Sequence, residues 1–141
     1  MTRTRLSIDT FFVGLLAGIV YRGRRAVSLR GDRFDRIVAA VVDSLRAKYP
    51  PETLDLRFRV QPHKTHGYSI TVRDAIAAAT QTDLVSLDNP KYQDMRFKID
   101  RDEAEEILER IPLGKEVFLE LADEFLRMYD GGEIKDVVAA A

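Results

Sequence analysis

Residues 11–21, FFVGLLAGIVY, carry no charge and only one side chain with a polar atom, the closing tyrosine. A run of this kind has to leave water on most of its sides, yet it is too short to leave water by crossing a membrane. At ~1.5 Å per residue it covers little more than half of a ~30 Å hydrocarbon core. Arg3 and Arg5 upstream lend it the outline of a secretory leader. Asp9 interrupts that outline, and no small-x-small cleavage site precedes Arg22-Gly23-Arg24-Arg25. The run therefore reads as a buried helix, capped by Ser7 or Asp9 and ended at Gly23, in a cytoplasmic protein that does not engage a membrane. Apolar residues all round it imply cover on more than one side. Gly14 and Gly18, one turn apart, allow a second backbone to come close. Any apolar stripe that the rest of the chain leaves uncovered becomes an oligomer contact through Phe12, Gly14, Leu16 and Gly18, so self-association is expected.

The remaining pattern gives helices and short strands. Val27 and Leu29 alternate with Ser28 and Arg30 as a short strand. Asp32 opens a helix whose inner face holds Phe34, Ile37, Val38, Val41, Val42 and Leu45, and Pro50-Pro51 ends it. Leu54, Leu56, Phe58 and Val60 alternate with charged residues as a half-buried strand, and Tyr68, Ile70 and Val72 suggest a second. The link between them, QPHKTHG, is short enough for an antiparallel hairpin. A helical turn over 74–80, a strand at Leu84, Val85 and Leu87, and another at Met95, Phe97 and Ile99 follow. Asp100 with Glu103 forms a capping box for a helix through Ile107 and Leu108, and a last helix carries Phe118, Leu121, Ala122, Phe125 and Met128. At 141 residues, with no stretch of linker composition, the chain is expected to be a single α+β domain over 1–141. Its expected architecture is a four- to five-stranded, mostly antiparallel sheet with helices packed on one face. Leu56, Phe58, Val41, Val42, Phe97, Ile107 and Phe125 are expected to share the core.

Charge divides the chain into two. Residues 1–75 hold 14 Lys and Arg against 7 Asp and Glu, whereas residues 76–141 hold 8 against 16. The formal net charge of −1 conceals these opposed halves. Either the halves pack together and neutralise one another, or one or both face a partner, where opposed fields steer association.

Few residues invite chemistry. The chain has no cysteine, which excludes disulfides, thiolate metal sites and a cysteine nucleophile. It has no G-x-S-x-G elbow and no glycine-rich phosphate loop. The arginines Arg22, Arg24, Arg25, Arg30, Arg33 and Arg36 form the densest basic group and are the candidate contacts for an anion or a nucleic-acid backbone. Against them stand the slightly negative total and the lack of any recognised nucleic-acid-binding pattern. His63 and His66, three apart in QPHKTHG, could serve acid–base chemistry or a metal. That loop contains no carboxylate to complete a metal site, so no metal and no cofactor are expected. The acidic helix with Glu103, Glu105, Glu106 and Glu109 reads as solvated surface. Function is thus expected to lie in surfaces: a non-enzymatic regulator, adaptor or subunit acting through oppositely charged faces, with a protein partner or self-association. Nucleic-acid contact through residues 22–36, or a small enzyme or metal-binding protein using His63 and His66, are the alternatives.

Overall fold

The computed structural model describes residues 4–60, 69–87 and 93–131. It begins with β1 (Thr4–Leu6), followed by α1 (Ile8–Tyr21), β2 (Ala26–Ser28), α2 (Arg33–Lys48) and β3 (Leu54–Leu56). Then come α3 (Ile70–Gln81), β4 (Val85–Ser86), β5 (Asp94–Phe97), α4 (Arg101–Arg110) and α5 (Lys115–Gly131).

α1 is the centre of the molecule. The Ser7 hydroxyl caps it by accepting from the Thr10 amide at 3.2 Å. Nine of its residues are buried, among them Phe11, Phe12, Leu15, Leu16 and Ile19. α3, α4 and α5 all pack against it. Gly14 and Gly18 let α5 in: a Cβ on Gly18 would lie 2.8 Å from the Ala122 Cβ and 2.9 Å from the Phe118 carbonyl oxygen. α2 lies against α5 and closes the core from the other side. Phe12 meets Phe34 edge-on at 6.1 Å, Phe34 meets Phe125 edge-on at 5.6 Å, and Phe125 stacks on Tyr129 at 5.7 Å.

The expected sheet is corrected in three respects. The strands form two small sheets, not one of four or five strands: β1 with β3, and β2-β5-β4. The β1–β3 pair is parallel, with Thr4 opposite Leu54 and Leu6 opposite Leu56. The second sheet is antiparallel, with Val27 opposite Met95 and Val85 opposite Phe97. Most decisively, Ile70 and Val72 belong to a helix. Ser69 is the N-cap of α3, its hydroxyl accepting from the Val72 amide at 3.3 Å. Val72, Ala75, Ile76 and Ala79 then fall at i, i+3, i+4 and i+7 on one buried face, while Ile70 is 76 % exposed. The proposed hairpin therefore has no second strand over 69–72, and its link, with Tyr68, lies outside the described residues.

The run 54–60 pairs only over its first three residues, because its partner β1 is itself three residues long. Of the expected core, Val41, Val42 and Phe125 are buried. Leu56, Phe58, Phe97 and Ile107 are half-buried and pack at the margin. Asp100 and Glu103 close a full capping box at α4. Asp32 does stand at the N-cap of α2, but its carboxylate makes no cap and instead accepts from Arg36 Nε at 2.9 Å.

Candidate functional site

Five of the six candidate arginines are held by the chain itself. Arg22 forms a two-pronged pair with Asp123, its Nε 2.9 Å from Oδ1 and its Nη2 3.1 Å from Oδ2. Arg24 pairs with Asp130. Arg33 donates from Nη2 to the carbonyls of Met128, at 3.1 Å, and Tyr129, and its guanidinium lies over the Tyr129 ring. Arg36 is engaged by Asp32. Arg30 donates to the Gln93 side chain at 3.2 Å. Three of these arginines thus clamp α5. Its last-turn carbonyls have no helical donors of their own, and a cation there is favourable. Lys48 joins the clamp from α2, with Nζ 2.5 Å from Glu120 and 3.3 Å from Glu124. Much of the basic excess of the first half is therefore spent on acids and carbonyls of the second.

Arg25 differs. Among the described residues no carboxylate pairs with it, and with Arg24 and Arg101 it lines a cavity of about 410 Å³ between the end of α1, the end of β5 and the start of α4. Arg101 carried no signal in the sequence, because only folding brings residues 24 and 101 together.

Phe12, Leu16, Gly14 and Gly18 are all buried within the chain's own core. The close helix crossing that the two glycines permit is taken by α5. His63 and His66 lie outside the described residues. Among the described residues no three His, Asp or Glu side chains gather as metal ligands would.

A second concave feature runs between α1 and α4. Asp9, Thr10, Val13, Ile107, Arg110 and Ile111 line a shallow, wide-open and mostly apolar cleft of about 370 Å³. Two further hollows adjoin it. One shares Asp9 and Val13 and is floored by alanines of α3; the other shares Ile107 and Arg110 and is edged by Asp83, Glu103 and Glu106. Together they form a continuous surface with an apolar floor and four carboxylates at its edge. Within it, Arg110 pairs with Glu106 at 3.2 Å, and Lys98 reaches Asp83 at 3.3 Å. Asp83 sits at a φ of 61°, a left-handed conformation that aspartate tolerates better than most residues. The sequence marked Glu103 and Glu106 as solvated helix surface. The missing information was that Val13 of α1 and Ile107 of α4 are neighbours.

Among the described residues no helix is long and apolar enough to cross a membrane. Comparison with family models, curated proteins and solved structures finds no match to this chain.

Proposed function

We propose that the chain is a non-enzymatic interaction protein, a regulator, adaptor or subunit of a larger assembly, and that its receiving surface is the cleft between α1 and α4. The observation that carries this reading is an apolar floor, Val13, Ile107 and Ile111, edged by Asp9, Asp83, Glu103 and Glu106, of which Asp83 and Glu106 stand in exposed pairs with Lys98 and Arg110 that a basic partner can exchange into. Apolar floor and acidic edge are complementary to one kind of occupant, an amphipathic helix with an apolar stripe and a basic face, supplied by another protein. Opposed charge would steer its approach, and the apolar contact would hold it. The alternative of a nucleic-acid contact through residues 22–36 is weakened by the carboxylates and carbonyls that Arg22, Arg24, Arg33 and Arg36 already serve.

The test is zero-length carboxylate–amine cross-linking of the tagged chain in extracts of its native cell, with the cross-linked peptides sequenced. Links from Asp9, Glu103 or Glu106 to lysines of one protein, on a segment with helical apolar periodicity, are expected. They should vanish in Val13→Asp and persist in Arg25→Ala. Links that survive Val13→Asp, or that cluster on α5 instead, refute the assignment.

A further inference from the structure

The cavity between α1, β5 and α4 has a different chemistry from the cleft. Val20, Phe97 and Ile99 give it an apolar part, and three arginines, Arg24, Arg25 and Arg101, complete most of its lining. The local chain path fixes them there. Gly23, at a φ of 97°, turns the chain out of α1 so that Arg24 and Arg25 follow at once. The Arg25 carbonyl accepts from the Phe97 amide at 2.9 Å, which ties this turn to the end of β5. Arg101 opens α4, its guanidinium 4.4 Å from the centre of the Tyr21 ring.

One carboxylate, Asp100, also lines the cavity, but it is committed to the capping box, accepting from the Glu103 amide at 2.8 Å. Arg24 is balanced by Asp130. Among the described residues neither Arg25 nor Arg101 forms an ion pair, so two cations border the apolar part of a lining whose one carboxylate, Asp100, is turned to the α4 cap. A volume of about 410 Å³ falls in the range of small-molecule sites. Guanidiniums bind oxyanions through paired N–H donors, and the apolar part offers nothing polar to anything that lies on it.

We infer that this cavity is a binding site for a small organic oxyanion, a carboxylate or phosphate carried on an apolar body, with Arg25 and Arg101 holding the charged end and Phe97 and Ile99 the body. Phenyl phosphate is the probe, titrated into the full-length protein and followed by amide chemical shifts, with inorganic phosphate and benzyl alcohol as its two halves. Saturable shifts at Arg25, Phe97, Ile99 and Arg101 are expected with phenyl phosphate, and binding at least about 10-fold weaker with either half alone. Arg25→Ala, which breaks no ion pair among the described residues, should weaken binding roughly 10-fold, as one lost charge-assisted contact would. Arg101→Ala should do the same, and Arg59→Ala, which removes a cation outside the cavity, should change nothing. The inference fails if phenyl phosphate gives no saturable shifts there. It fails equally if inorganic phosphate binds as tightly, since the apolar part then contributes nothing. An Arg59→Ala loss equal to that of Arg25→Ala, the mark of diffuse attraction, also overturns it.

Discussion

Arg73 on α3 reaches back to Asp35 on α2, with its Nη2 2.5 Å from Oδ1, and the carboxylate it meets is wholly buried. The Ser69 amide donates to the same carboxylate at 2.8 Å, so Asp35 receives the start of α3 through both backbone and side chain. The guanidinium, about one-third exposed, also donates to the Gly31 carbonyl at 3.4 Å. This pair anchors α3 after the stretch that separates it from β3. Arg73→Ala would leave a buried carboxylate facing one amide, a situation that costs about 3–5 kcal/mol. Urea unfolding should show that loss in the midpoint at constant slope. A loss under about 1 kcal/mol would show that Asp35 finds another donor.

Gly18 meets α5 where nothing can yield. Its added Cβ would strike the Phe118 backbone oxygen and the Ala122 Cβ, neither the end of a flexible side chain. Alanine improves helix propensity by about 1 kcal/mol. Overpacking of this kind costs about 1–3 kcal/mol and backbone cannot move aside cheaply, so Gly18→Ala is expected to be destabilising on balance. A variant that melts higher than the wild type would place α5 further from α1.

The aromatic residues should separate by depth. Phe125, fully buried between Phe34 and Tyr129, should cost about 3–5 kcal/mol on truncation to alanine. Phe58, half-buried with its ring centre 5.3 Å from that of Phe11, should cost about half as much, in proportion to the apolar area withdrawn from water. Equal losses in chemical denaturation would contradict this ordering.

Arg33 holds the C-terminal end of α5 through the Met128 and Tyr129 carbonyls. Its Nε is buried without an acceptor among the described residues, which offsets part of the gain. Arg33→Ala should therefore act locally, by about 1–2 kcal/mol. Hydrogen exchange should accelerate roughly 10-fold in the last turn of α5 and hardly at all in α1. Uniform acceleration across both helices would show instead that the clamp supports the entire fold.

The hydrogen bond to Glu120, opposed by desolvation and then assisted by Glu124, raises Lys48 above its ordinary value of 10.5. A raised value means that the folded state binds this proton more tightly, so the contribution is complete below pH 10.5 and is lost as pH climbs through the folded value. The amine is exposed and screened, so Lys48→Met should cost under about 1 kcal/mol at neutral pH, and less in high salt. A larger, salt-insensitive loss would count against this reading.

The parts of the fold written locally were legible. Ser7, Pro50-Pro51 and the Asp100–Glu103 box mark helix ends through contacts three or four residues apart, and the structure places them accordingly. Val72 reads as a strand residue because two turns of a helix and three alternating strand residues share the same apolar letters over so short a window. Ser69, the cap that decides between them, looks like a polar strand residue when read alone. β1 has no local signature, because its three residues acquire a strand's hydrogen bonds only from Leu54–Leu56, about fifty positions away. The arginines were found as a group by counting, but their division into α5 clamps and cavity walls depends on which elements meet.

A chain leaving the ribosome exposes α1 well before most of its cover has been made, since α2 meets only part of it. α3, α4 and α5, the helices that enclose it, follow it in the sequence, and the α5 crossing at Gly18 needs residues 118–122. At about 5–20 residues per second, roughly a hundred residues of synthesis leave that apolar surface unburied for roughly 5–20 s. During biosynthesis the core around Gly18 thus cannot close until α5 has emerged.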